Sequence, residues 1–192
     1  AGARRRVCKS SSVQPVVKER VLLHREKGTG STLYLGESDL FVRLMTQPDY
    51  PGFGYMFARG ATSLWEQWSY RGMMNSHNHA MFAGALHALM TRLAGIRAAG
   101  LGFAAVEIRP SFPASLGRVS ARLDTPRGRV AVAWRREGEQ IVLDLEIPPC
   151  TPATLTLPRT AARPLRAGRQ TLVFRQEGGP LCAEQDSAGL AE

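Results

Sequence analysis

A chain of 192 residues with 44% hydrophobic content can bury a substantial core, as one domain or as two small ones. No window reaches eighteen uninterrupted apolar residues, so no membrane-spanning helix is expected, and the charged start AGARRRVCKSSSVQPVVKERVLLHREKG lacks the apolar stretch of a secretory signal. The net charge of +9, from 25 Lys and Arg against 16 Asp and Glu, would attract anionic surfaces non-specifically, yet no basic stretch is interleaved with exposed aromatics, which argues against nucleic acid as a partner.

The absence of an initiator Met reads as a fragment or a processed product, which leaves localisation open. Cys8, Cys150 and Cys182 are odd in number and far apart. They predict free thiols rather than a disulfide framework or a C-x-x-C metal site, and no metal or cofactor is expected from the sequence.

Residues 1–30 are charged and rich in Ser and Gly with no sustained period, and read as a poorly ordered lead-in. A first structured segment is expected over 31–101. In it, DLFVRLMTQ (39–47) sets Leu40, Phe41, Leu44 and Met45 on one side of a short helix, with Asp39 as N-cap and Pro48 as stop. PDYPGFGYMFARG (48–60) then reads as an ordered, aromatic-rich loop. Behind Gly60, the stretch GATSLWEQW places Glu66 between Trp65 and Trp68. Two readings fit those residues: a carboxylate in an aromatic sugar pocket, or an amphipathic turn whose tryptophans are core and whose Glu is solvated.

From Asn78 the pattern is helical. Met81, Ala85, Leu89 and Leu93 recur every four residues, flanked by Phe82, Leu86 and Met90, and Gly95 stands where a C-terminal glycine belongs. Ser76 or Asn78 would cap this helix, leaving His77 and His79 at an N-terminal end whose unpaired N–H groups suit oxygen-rich ligands. A face this wide expects neighbours on several sides, and predicts exposed apolar surface around Met81, Leu89 and Leu93 if those neighbours are missing.

Near Gly102 the period becomes two, so 39–97 should be helix or loop and 104–175 mostly antiparallel strands. Val119, Ala121 and Leu123 alternate in RVSARLDT, Val130, Val132 and Trp134 in RVAVAW, and Ile141, Leu143, Leu145 and Ile147 in QIVLDLEI, with turns at TPRG and Glu137-Gly138. With TLTL and TLVF this makes five or six strands, and an antiparallel sandwich over 102–178 is the economical reading. Residues 179–192 read as a frayed tail.

Taken in order, YPGFGYMFARGATSLWEQW, SHNHAMFAGALHALMTRLAGI, VEIRPSFP and IPPCTPATLTLP resemble the C-terminal part of the bacterial α-L-rhamnosidases, glycoside hydrolase family seventy-eight. The resemblance runs from about Gly28 to Phe174. It implies an α+β chain in two parts: the last hairpins of an (α/α) six-hairpin barrel, then a C-terminal antiparallel β-sandwich opened by the I-R-P segment. Such enzymes invert, with an acid and a base carboxyl about 6.5 to 9.5 Å apart. By its place in the W-E motif Glu66 is similar to the family's general base. His79, in the N-H position, would hydrogen-bond the sugar or its attacking water, and Trp65, Trp68 and Tyr55 would line the substrate side. The implied partners are a rhamnose-containing glycoside or oligosaccharide and the remaining barrel of a parent enzyme.

The family's general acid lies in a D-x-R-x-E-type segment far upstream, and these 192 residues contain none. Glu37, Asp39 and Asp49 do not match it, and Thr62-Ser63 stands where Thr-Thr is commoner. A single carboxylate cannot run an inverting mechanism, so the chain alone is expected to be inactive. A non-catalytic carbohydrate-binding or interaction module is the alternative, and a basic nucleic-acid-binding protein a remote one. The HNH letters also suggest a metal-dependent nuclease, but an apolar helix follows them directly and no further ligands are in place. His87 reads as a core or groove histidine, and His24 has no assigned role.

Overall fold

The computed structural model describes residues 38–68, 76–80, 83–157, 160–175 and 182–186, the last by backbone alone. The chain divides into two compact units, Ala1–Gly84 and Ala85–Glu192. The expected lead-in over 1–30 and the residues after 186 lie outside the described residues.

In the first unit, helix α1 (Ser38–Thr46) buries Phe41, Val42 and Leu44. Asp39 sits within its first turn rather than at its cap, and Arg43 in its last, both favourable to the helix dipole. The aromatic stretch expected as loop contains a second helix, α2 (Phe53–Ala58), with Phe53 and Met56 buried. Glycines at 52 and 54 obscured it in the sequence, but burial of two large apolar side chains outweighs the propensity cost of a helical Gly, about 1 kcal/mol.

Helix α3 (Gly84–Ala88) starts at the last residue of the first unit and continues in the second as one π-type turn, Leu89–Leu93. There Ala94 N–H donates to the Leu89 carbonyl at 3.1 Å, five residues back. The helix expected from Asn78 is thus shorter and later: residues 76–79 run as bends. Gly95 does end it, at φ +79. Leu93 is buried and Leu89 half-buried, so the large apolar residue that this helix exposes is Leu86. Met81 lies outside the described residues. His87, expected in a core or groove, is exposed.

Strand β1 (Ile96–Ala99) follows at once, so the change of period falls at Gly95 rather than near Gly102. After a 3-10 turn at Leu101–Phe103 come β2 (Ala105–Ile108), β3 (Arg118–Thr125), β4 (Gly128–Glu137) and β5 (Gln140–Ile147). Then follow β6 (Ala153–Leu155), β7 (Arg163–Leu165), β8 (Gly168–Arg175) and β9 (Cys182–Asp186). They form a four-stranded sheet, β1-β2-β6-β7, and a five-stranded sheet, β3-β4-β5-β8-β9. Nine described strands therefore replace the five or six expected. The β2–β6 pair is parallel and the other pairs are antiparallel.

Alternation explains the packing. Val130, Val132 and Trp134 of β4 and Ile141, Leu143, Leu145 and Ile147 of β5 are buried, and they share one core with Ile96, Val106, Ile108 and Leu155 of the other sheet. Each such side chain contributes about 1.5 to 3 kcal/mol of burial. Val119, Ala121 and Leu123 lie half-buried at its margin.

Candidate functional site

Four backbone carbonyls and amides join the W-E turn to the segment that carries both histidines. Glu66 N–H donates to the Ser76 carbonyl at 2.9 Å, and His79 N–H donates to the Leu64 carbonyl at 2.8 Å. The His79 amide is therefore not an open helix N-terminus; it is engaged by the preceding motif. The Ser63 hydroxyl adds a hydrogen bond to the His77 carbonyl. Gly60, at φ +78, lets the chain leave α2 and turn into this arrangement.

The side chains divide by direction. Trp65 and Trp68 are 3% and 8% exposed, so both indoles belong to the interior of the first unit. Trp68 meets Phe53 edge to face at 5.0 Å between ring centres. Trp65 is stacked on His77 at 5.0 Å and 29°. Glu66, between them in sequence, is only half-buried. Its Oε2 accepts a hydrogen bond from Ser76 N–H at 2.9 Å, while Oε1 has no partner among the described residues. That leaves one fixed carboxylate oxygen and one able to take a proton.

His77, Asn78 and His79 are exposed beside this carboxylate segment. A reciprocal pair shapes them: Asn78 N–H donates to Ser76 Oγ, and Ser76 Oγ–H to the Asn78 carbonyl, both at 3.1 Å. Tyr55 has other neighbours. It is half-buried on α2, edge-on to Tyr50 at 5.7 Å, with the Arg59 guanidinium 4.9 Å above its ring. The structure thus brings the Glu66 and His79 segments together, with Trp65 stacked on His77 and Trp68 packed on Phe53. Ser63, Ser76 and His77 have connecting roles that single-sequence reading did not find; Ser76 had been legible only as a cap.

Among the described residues no group of three or more His, Cys, Asp or Glu could hold a metal ion. No described helix is long and apolar enough to cross a membrane.

Residues 31–93 match the family model for the bacterial α-L-rhamnosidase six-hairpin glycosidase domain, and residues 95–171 match that for the bacterial α-L-rhamnosidase C-terminal domain. The chain belongs to the bacterial α-L-rhamnosidase family. The two matches meet at the end of the π turn, where helix gives way to sheet. An α-L-rhamnosidase of Formosa agariphila is 32% identical over 143 residues, 70% of this chain and 15% of that protein. One of Streptomyces avermitilis is 26% identical over 151 residues, again 15% of its length. This chain therefore spans about 15% of the length of these curated relatives.

Among solved structures, the α-L-rhamnosidase of Dictyoglumus thermophilum superposes with a TM-score of 0.57 at 31% identity, over 65% of this chain and 14% of that one. The Aspergillus terreus α-L-rhamnosidase gives a TM-score of 0.67 at 24% identity, over 85% and 22%, a likeness of fold. The architecture is a portion of a six-hairpin glycosidase domain followed by a two-sheet C-terminal domain.

Proposed function

We propose that this chain supplies the general-base half of an inverting α-L-rhamnosidase site acting on terminal α-L-rhamnosides. Glu66 is the base: Oε2 is fixed by the Ser76 amide, and Oε1 takes the proton of the attacking water. His79 contacts the sugar or that water. Trp65 and Trp68 form the apolar floor, and Tyr55 contributes from the flank. The observation that carries this reading is the pairing of the two motif segments, Glu66 N–H to Ser76 and His79 N–H to Leu64.

The general acid comes in this reading from the remaining barrel of a parent enzyme. A rhamnose-containing substrate is supported by the relatives' names and by a Streptomyces avermitilis α-L-rhamnosidase structure described as complexed with L-rhamnose, whose 24% identity indicates shared fold. The domain division expected at 101/102 moves to Gly95 in this reading, with the barrel portion before it and the sandwich from β1 onward, because Ile96–Ala99 already pairs in the four-stranded sheet.

The test is hydrolysis of an unactivated rhamnosyl disaccharide. A nitrophenyl rhamnoside is a poor probe because its leaving group needs little acid. The 192-residue chain should not turn the disaccharide over, since protonation of the leaving oxygen contributes on the order of a hundredfold or more. The same residues within a complete six-hairpin barrel should, with Glu66→Gln reducing the rate at least about a hundredfold. Full turnover by Glu66→Gln in that setting would overturn the assignment of the base.

A further inference from the structure

One end of the five-stranded sheet is strongly basic on the face turned away from the core. Residues that alternate with the buried ones place Arg122 and Asp124 on β3, Arg129 on β4, Glu146 on β5 and Arg169 on β8. The register sets Asp124 opposite Arg129 and Glu146 opposite Arg169, with Ala131 between Arg122 and Glu146. Two exposed ion pairs result, Arg129 to Asp124 at 2.8 Å and Arg169 to Glu146 at 3.4 Å. Arg122 has no ion pair among the described residues, nor do the exposed Arg127 and Arg166 in the adjoining turns. Five arginines thus share two carboxylates.

Pairs this exposed contribute little, and each guanidinium keeps N–H donors for an incoming anion. From Arg122 on β3 to Arg169 on β8 the charges span three strand spacings, about 14 Å. The cationic excess is therefore spread along a line rather than gathered at a point.

We propose that this end of the sheet binds an acidic polysaccharide, its arginines taking the polymer's carboxylates by charge-assisted hydrogen bonds. Among the described residues no aromatic side chain stands on this face to stack a base, and no helix projects from it into a groove. That the polymer is carbohydrate rests on the glycosidase reading; the cationic surface does not.

The experiment measures retention of the 192-residue chain by polygalacturonate in affinity electrophoresis at low salt. Retention is expected, falling with added salt and at least about fivefold weaker in the Arg122→Gln/Arg129→Gln/Arg169→Gln variant. A variant neutralised elsewhere, at Arg43, Arg97 and Arg109, should bind like the unmodified chain, and circular dichroism of both variants checks the fold. Fully methyl-esterified polygalacturonate should not retain the chain. Equal binding by the triple variant, equal binding to the esterified polymer, or preferential displacement by single-stranded DNA would each overturn the proposal. Free L-rhamnose should not displace the polymer, so a failed catalytic reading and a failed acidic-glycan reading give different results.

Discussion

Glu66 and Ser76, ten residues apart, hold one another by two hydrogen bonds: Ser76 N–H to the Glu66 carboxylate and Glu66 N–H to the Ser76 carbonyl, each at 2.9 Å. An acid whose main chain and side chain are both tied to one residue has little freedom to turn away. Because Ser76 is exposed, water can satisfy its amide when the carboxylate is removed, so Glu66→Ala should cost only about 1 kcal/mol in urea unfolding. Glu66→Gln retains an acceptor and should cost less. A loss above about 3 kcal/mol for Glu66→Ala would mark Glu66 as structural.

The legible parts of the molecule were those set by local pattern. Val130, Val132 and Trp134, then Ile141 to Ile147, alternate cleanly, and they are core. Strand β1 was hidden because Ile96–Ala99 buries only Ile96 and owes its extended form to pairing with Ala105–Ile108. Strand β7 was hidden by Pro164, which an edge position tolerates. In the candidate site, motif order pointed to Glu66 and His79. The Trp65–His77 stack and the Glu66–Ser76 bonds join residues ten or more apart in sequence, and no local period reports them.

Two glycines of nearly equal φ should respond very differently to alanine. Gly95, at φ +79, would place a Cβ 2.2 Å from Arg109 C and Pro110 N, backbone atoms at the end of β2 that cannot give way. Gly60, at φ +78, would meet nothing within 4 Å. Gly60→Ala should therefore cost about 1 kcal/mol, the left-handed penalty alone. Gly95→Ala adds a backbone collision and should exceed about 3 kcal/mol or prevent soluble expression. Similar losses from the two substitutions, read by thermal unfolding, would contradict the close approach at Gly95.

Arg129 should hold the Asp124 carboxyl below the ordinary aspartate range, first through their hydrogen bond, then through its charge, with burial opposing slightly and Arg122 assisting. A carboxyl depressed in the folded state stabilises above its unfolded titration range, and that contribution fades as pH falls through the folded value. Arg129→Gln should raise the Asp124 midpoint measured by NMR titration. It should also leave stability at neutral pH nearly unchanged, because the pair is exposed on both sides. An unmoved midpoint would mean that the pair does not persist in solution.

Trp134 offers the sharpest test of how the helical turn is fastened to the sandwich. Its indole is 1% exposed, and Nε1–H donates to the Leu93 carbonyl at 2.9 Å, at the last residue of the π turn. Phe112 meets the same ring edge to face at 5.3 Å. Carbonyls at a helix end need a partner from outside the helix, and here the sheet provides it. Trp134→Phe keeps most of the apolar volume but leaves the Leu93 carbonyl buried without the indole donor, so a loss of about 1 to 3 kcal/mol is expected. Trp134→Ala adds a large cavity and should cost about 3 to 5 kcal/mol. Amide exchange distinguishes the two causes. Trp134→Phe should speed exchange at Ala94, whose N–H closes the π turn, well before it speeds exchange in β4 and β5, whereas a purely volumetric role would loosen the strands and the turn together.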